Sequence, residues 1–109
     1  MKAWIISGSC LCALLATPYM FGADKAGDPA KGKEVFEQCA VCHNVDTDEK
    51  KMGPSLKGLF KHATLKNGKK VTEANVRAQI NAGGNGMPAY EDMLSEQEKN
   101  DVIAYLKTL

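Results

Sequence analysis

Cys39-Ala40-Val41-Cys42-His43 is the stretch whose reading decides the fold. Two thiols three positions apart, followed directly by an imidazole, form the attachment signature of c-type haem. The spacing lets both sulfurs add to the two vinyl groups of one porphyrin, and it leaves His43 beside the ring as proximal iron ligand. Other chemistries use the same residue types. A thioredoxin-like redox pair calls for a strand before the motif and a βαβ context, whereas a helical pattern precedes Cys39. A structural zinc ion calls for four ligands. Past the N-terminal segment only Cys39, Cys42, His43 and His62 are available, and Cys42 and His43 are chain neighbours. A plain disulfide leaves His43 without a role.

Upstream of the motif, residues 1–23 read as a secretory signal peptide. Lys2 is followed by a mostly apolar run from Ala3 to Ala16, then by Thr17-Pro18, and charge begins at Asp24. Cleavage is expected after Ala23. The competing reading is a retained anchor, which needs about 20 apolar residues. The run approaches that length only by including Ser7, Gly8, Ser9, Thr17 and Pro18. Neither Cys10 nor Cys12 follows the Leu-small-small stretch of a lipoprotein. Cleavage removes both and leaves Cys39 and Cys42 as the only thiols of a domain over 24–109. The product is expected to be exported, periplasmic, and without a membrane span.

The 109-residue chain carries a formal charge of +1, with 44% hydrophobic and 25% charged residues. These are values of an ordinary globular domain, and nothing points to a nucleic-acid partner. Three helices are predicted. Asp28-Pro29 is an N-cap with Pro at the first helical position. It starts a helix running to about Cys39, with Gly32, Val35 and Phe36 on one face. Thr72 caps a second helix over 73–82, striped by Val76 and Ile80 and stopped by Gly83-Gly84. Ser95-Glu96-Gln97-Glu98 is a capping box. It opens a third helix, in which Val102, Tyr105, Leu106 and Leu109 repeat at helical spacing. Strand alternation persists nowhere, and the Gly- and Lys-rich stretch from Asp46 to Val71 reads as a long loop. Loops that long in so small a domain usually wrap something functional.

These landmarks, in this order, resemble class I cytochromes c over about residues 27–109. Gly32 and Phe36 match the first helix, and Cys39 to His43 the haem motif. Gly53-Pro54-Ser55-Leu56-Lys57-Gly58-Leu59-Phe60 matches the loop after it. Gly86-Met87-Pro88-Ala89-Tyr90 matches the loop bearing the sixth ligand, and Val102-Ile103-Ala104-Tyr105-Leu106 the last helix. The resemblance implies an all-α class I cytochrome c fold, with three to four short helices and long loops around one covalent haem c per chain. It implies that the Pro54 carbonyl receives the second ring nitrogen of His43, and that Met87 is the distal iron ligand. Met52 and Met93 are the other methionines past the leader and read as gap-fillers. Met87 precedes Pro88, which restricts it to extended backbone. His62 is the rival sixth ligand, or a contact to a haem propionate. The only Trp, Trp4, lies in the leader, which sets the match nearer compact bacterial or photosynthetic carriers than the mitochondrial type. Gly32, Phe36 and Tyr105 are expected to join the first and last helices.

The function implied is a monomeric carrier, and not an enzyme, shuttling single electrons between redox protein partners. Two alternatives stay open: an electron-entry subunit of a larger oxidoreductase, and a haem ligand-binding or sensing protein if Met87 is not bound to iron. Residues 50–70 hold seven Lys and no acid, while 91–101 hold five acids against Lys99. The chain can therefore present two oppositely charged faces.

Overall fold

The computed structural model describes residues 26–109; the expected leader and its cleavage site lie outside them. Three α-helices run in order, α1 (Pro29–Phe36), α2 (Glu73–Ala82) and α3 (Glu96–Leu106), with one 3₁₀ turn at Leu59–Lys61. Among the described residues there is no strand, only isolated bridges between Thr64 and Lys70 and between Gly84 and Met87.

Local chemistry sets each helix start. The Asp28 carboxylate accepts from the amides of Ala30 and Lys31, and Pro29 follows it. Thr72 accepts from the Asn75 amide. At α3 the box closes in both directions: Ser95 Oγ accepts from the Glu98 amide and the Glu98 carboxylate accepts from the Ser95 amide, each at 3.0 Å. A cap of this kind contributes about 1 kcal/mol. Only the end of α1 departs from expectation. The α-helix stops at Phe36, and the chain continues to Cys42 in tight turns, with Glu37 donating to Glu34 O and Cys39 to Phe36 O. These bonds span three residues where an α-helix spans four, so the backbone has tightened before the motif begins.

The helices α1 and α3 form the main packed pair. Gly32 makes the crossing close. A Cβ there would collide with the Asp101 carbonyl and come within 2.9 Å of the Tyr105 Cβ. One turn further on, the Phe36 and Tyr105 rings tilt against each other with centroids 5.3 Å apart, an arrangement favoured by the ring quadrupoles. Phe36, Leu59, Val76, Val102, Ile103 and Leu106 form the buried cluster.

Two charged residues of α3 are buried as well, Lys99 and Asp101. One oxygen of Asp101 accepts from the Asp28 amide at 2.8 Å and from the Gln97 side chain at 3.0 Å. The residue that caps α1 is thus itself fastened to α3. The Asp28 N–H holds the Asp101 carboxyl below its usual range; burial opposes, and Gln97 and the Lys31 charge add to the lowering.

Candidate functional site

Buried Leu59, Val76 and Leu106 line a cavity of about 820 Å³, together with Ile80 and Tyr90. Cys39, Cys42, His43, Pro54 and Met87, from three separate segments, line the same cavity.

The turns after α1 set the motif's geometry. The amides of Cys42 and His43 both donate to Cys39 O at 3.0 Å. Residues three and four apart in a helical turn share a face, so both thiols and the imidazole point one way. Val41, between them, is 71% exposed. The following loop is strapped back onto the motif. Gly53 donates to Cys42 O and Leu56 to Asn44 O, each at 2.8 Å, and the Lys51 ammonium reaches Ala40 O at 3.1 Å.

That strapping fixes the imidazole. His43 Nδ1 lies 2.7 Å from the Pro54 carbonyl oxygen. A carbonyl only accepts, so Nδ1 carries the hydrogen and Nε2 keeps a lone pair for a metal. Gly53 supplies the floor: a Cβ there would stand 2.5 Å from ring Cε1 and 2.8 Å from Nδ1.

The Met87 segment is held from its own backbone. Residues 83–86 all have positive φ, at 62°, 112°, 52° and 89°. The Gly84 amide donates to Met87 O at 2.9 Å and the Met87 amide to Gly84 O at 3.0 Å, closing a two-residue turn over Asn85-Gly86. Positive φ at both central residues marks a type I′ turn, for which Asn-Gly is the preferred pair. This dipeptide was a sequence signal left unused when the segment was matched only to the loop bearing the sixth ligand. Sequence reasoning also missed Gln79, one turn before the end of α2. Its Nε2 donates to Gly83 O at 3.0 Å and approaches the Met87 sulfur at 3.8 Å, while its Oε1 accepts from Asn67.

His62 also reaches the cavity wall, but Nε2 is engaged with the Lys57 carbonyl at 3.0 Å. Burial pushes the Cys39 thiol up, and Cys42 beside it adds to the rise. A reactive redox pair needs the opposite, a thiol acidified by its surroundings. Burial likewise raises the Tyr90 phenol, with the two sulfurs adding to it. No group of three or more His, Cys, Asp or Glu among the described residues is placed to hold a bare metal ion.

These observations fit a haem. The cavity falls within the range of about 300–1,000 Å³ of small-molecule sites and is walled mostly by apolar side chains. Among the side chains on its wall are two thiols, one oriented imidazole and the Met87 thioether, residue types that hold a covalent haem. A sheetless domain of short helices around such a cavity is the architecture of a class I c-type cytochrome.

The comparisons with known proteins agree. The cytochrome c family model matches residues 29–109. Cytochrome c2 of Rhodopila globiformis is 31% identical over 106 residues, covering 81% of this chain and 99% of its own. A cytochrome c6-like protein of Nostoc sp. is 38% identical over 82 residues, covering 74% and 70%. Among solved structures, cytochrome c6 of the diatom Phaeodactylum tricornutum superposes with a TM-score of 0.60 at 28% identity, covering 75% of this chain and 93% of that one. The chain belongs to the cytochrome c family, in class I. It is a haem-containing electron carrier, with its likeness running to cytochromes c2 and c6.

Proposed function

We propose that the chain carries one haem c through thioethers at Cys39 and Cys42, that His43 and Met87 are the residues that would bind its iron, and that the protein passes single electrons between protein partners in the periplasm. The observation that carries this reading is the shared cavity: both thiols, the oriented imidazole and the Met87 thioether, on a segment closed by its own backbone turn, lie on its wall. When bound, the group supplies one-electron exchange at iron. The protein does the rest. Pro54 keeps His43 in one tautomer and raises its basicity. The thioether of Met87, soft and neutral, favours the ferrous state and a higher potential than a second imidazole. Buried Leu59, Val76, Tyr90 and Leu106 keep water from the apolar part of the wall. An optical spectrum of the oxidised holoprotein tests the ligation. A weak sulfur-to-iron charge-transfer band at the red end is expected, and a high-spin spectrum without it would remove Met87 from the iron.

The partner reading rests on charge. Lys50 and Met52 line the site, the Lys51 ammonium reaches Ala40 O beside the motif, and the apolar side chains of Val41 and Met52 are exposed (71% and 79%). Basic residues around an apolar centre suit an acidic redox partner in a brief encounter. Transfer rates are expected to fall steeply as ionic strength rises; rates flat from low to high salt would exclude steering by this face. Export after cleavage at Ala23 is part of the same proposal, and the N-terminal residue of the purified protein tests it.

A further inference from the structure

Lys99 is the most deeply buried large side chain among the described residues, at 1% exposure. Lysine is among the residues least often fully buried, because its ammonium must exchange water for fixed acceptors. Its spacing from Glu96 is that of an ordinary surface pair within one helix, and such a pair forms equally well in the open. Burial therefore needs another account.

The acceptors supply it. Lys99 Nζ donates to Glu96 Oε1 at 3.0 Å and, leaving its own helix, to the main-chain carbonyl of Glu91 at 2.9 Å. Glu91 is four residues past Met87. Its amide donates to Asn81 O at 3.3 Å, and the Tyr90 amide donates to Ile80 O at 2.9 Å. These are among the last carbonyls of α2, which have no partner within the helix. The segment is thus fastened to α2 through its N–H groups and to α3 through one carbonyl. The Glu96 carboxylate joins the two helices, since its other oxygen takes Arg77 of α2 at 3.1 Å. Between this clasp and the Asn85-Gly86 turn, the stretch holding Met87 contains only Pro88 and Ala89 as untethered residues, and Pro88 is stiff.

We infer that Lys99 is a positioning residue for the distal ligand segment: its buried ammonium clamps Glu91 O to α3 and so removes the slack through which the Met87 thioether would leave the cavity. This rests on the proposed iron ligation by Met87 only for its second consequence. The clamp itself is a statement about the backbone at Tyr90 and Glu91.

The test compares the holoprotein with Lys99→Met, which keeps an unbranched stem and removes the ammonium. Glu96→Gln weakens the clamp from the exposed side should Lys99→Met fold poorly. Lys107→Met is the control, since the Lys107–Glu73 pair joins the same two helices without touching the segment. Two quantities are read: amide hydrogen exchange at Tyr90 and Glu91 against Val102 in the helix core, and the affinity of the ferric protein for imidazole, which must displace the sixth ligand. Loss of the clamp is expected to speed exchange at Tyr90 and Glu91 by about tenfold or more with Val102 unchanged. It is expected to tighten imidazole binding by a similar factor, with Lys107→Met altering neither. Exchange at the two amides that stays slow, or that rises evenly with Val102, overturns the clamp. Local acceleration with unchanged imidazole affinity overturns its hold on the thioether. Failure of the Met87 reading is separately visible, as a missing charge-transfer band in the unsubstituted protein.

Discussion

Gln79 makes three contacts with one amide group. It stops the chain at Gly83, receives Asn67 from the long loop, and points a hydrogen at the Met87 sulfur. With Met87 as the proposed iron ligand, a donor facing the thioether would draw electron density from it and make it a poorer donor to ferric iron. Gln79→Leu is expected to lower the midpoint potential while keeping the charge-transfer band, and spectroelectrochemical titration of both proteins checks it. An unchanged potential would mean that the 3.8 Å approach has no electronic consequence. Neither Gln79 nor Lys99 was legible in the sequence, and the reason is the same for both. Each acts on a residue whose proximity only the tertiary fold creates, and each reads locally as a solvated polar residue on a helix. The convergence of Cys39, Cys42 and His43 on one cavity wall was legible because it depends on a spacing within five residues. Pro54 and Met87 came from resemblance, not from local chemistry. Gly53 stood in the quoted loop, but its part as the floor of the His43 ring shows only when the loop folds back.

At the scale of elements, helix starts were readable and one helix end was not. Asp28-Pro29, Thr72 and the Ser95–Glu98 box act within one turn, so their sequence and structure coincide. The end of α1 has no Gly or other stop residue; the straps from Gly53 and Lys51 hold the following turns, and these come from sequence ten or more residues away. The pairing of α1 with α3 carries a pH dependence. The folded-state pKa of Asp101 is depressed, first by the Asp28 amide. Its contribution is therefore fully present above the unfolded carboxylate value of about 3.9 and is lost as pH falls through the lower folded value. Asp101→Asn removes the titration but keeps an acceptor oxygen. Urea unfolding at a series of acidic pH values is expected to show a shallower loss of stability in the variant than in the unsubstituted protein. Parallel acid limbs would assign the loss to other carboxylates.

On the scale of the whole molecule, the domain is built around a space its own side chains do not fill. Leu59, Val76 and Leu106 belong to the buried cluster and also face the cavity of about 820 Å³. Walls that meet nothing across such a space forgo the contacts a packed core supplies, and domains of this size are stable by only about 5–15 kcal/mol. Collapse of the walls would recover part of those contacts, but it would also break the arrangement of the Met87 segment, which lines the same cavity. The helices do not escape this argument, because isolated helices of 8 to 11 residues are marginal in water and draw their stability from packing. The chain should therefore fold only with its cofactor attached. Cys39→Ser with Cys42→Ser, produced without haem, is expected to show low helical circular dichroism and no cooperative thermal transition, while the attached form shows both. A cooperative transition in the doubly substituted chain would mean that α1 and α3, through Gly32, Phe36 and Tyr105, suffice as a core by themselves.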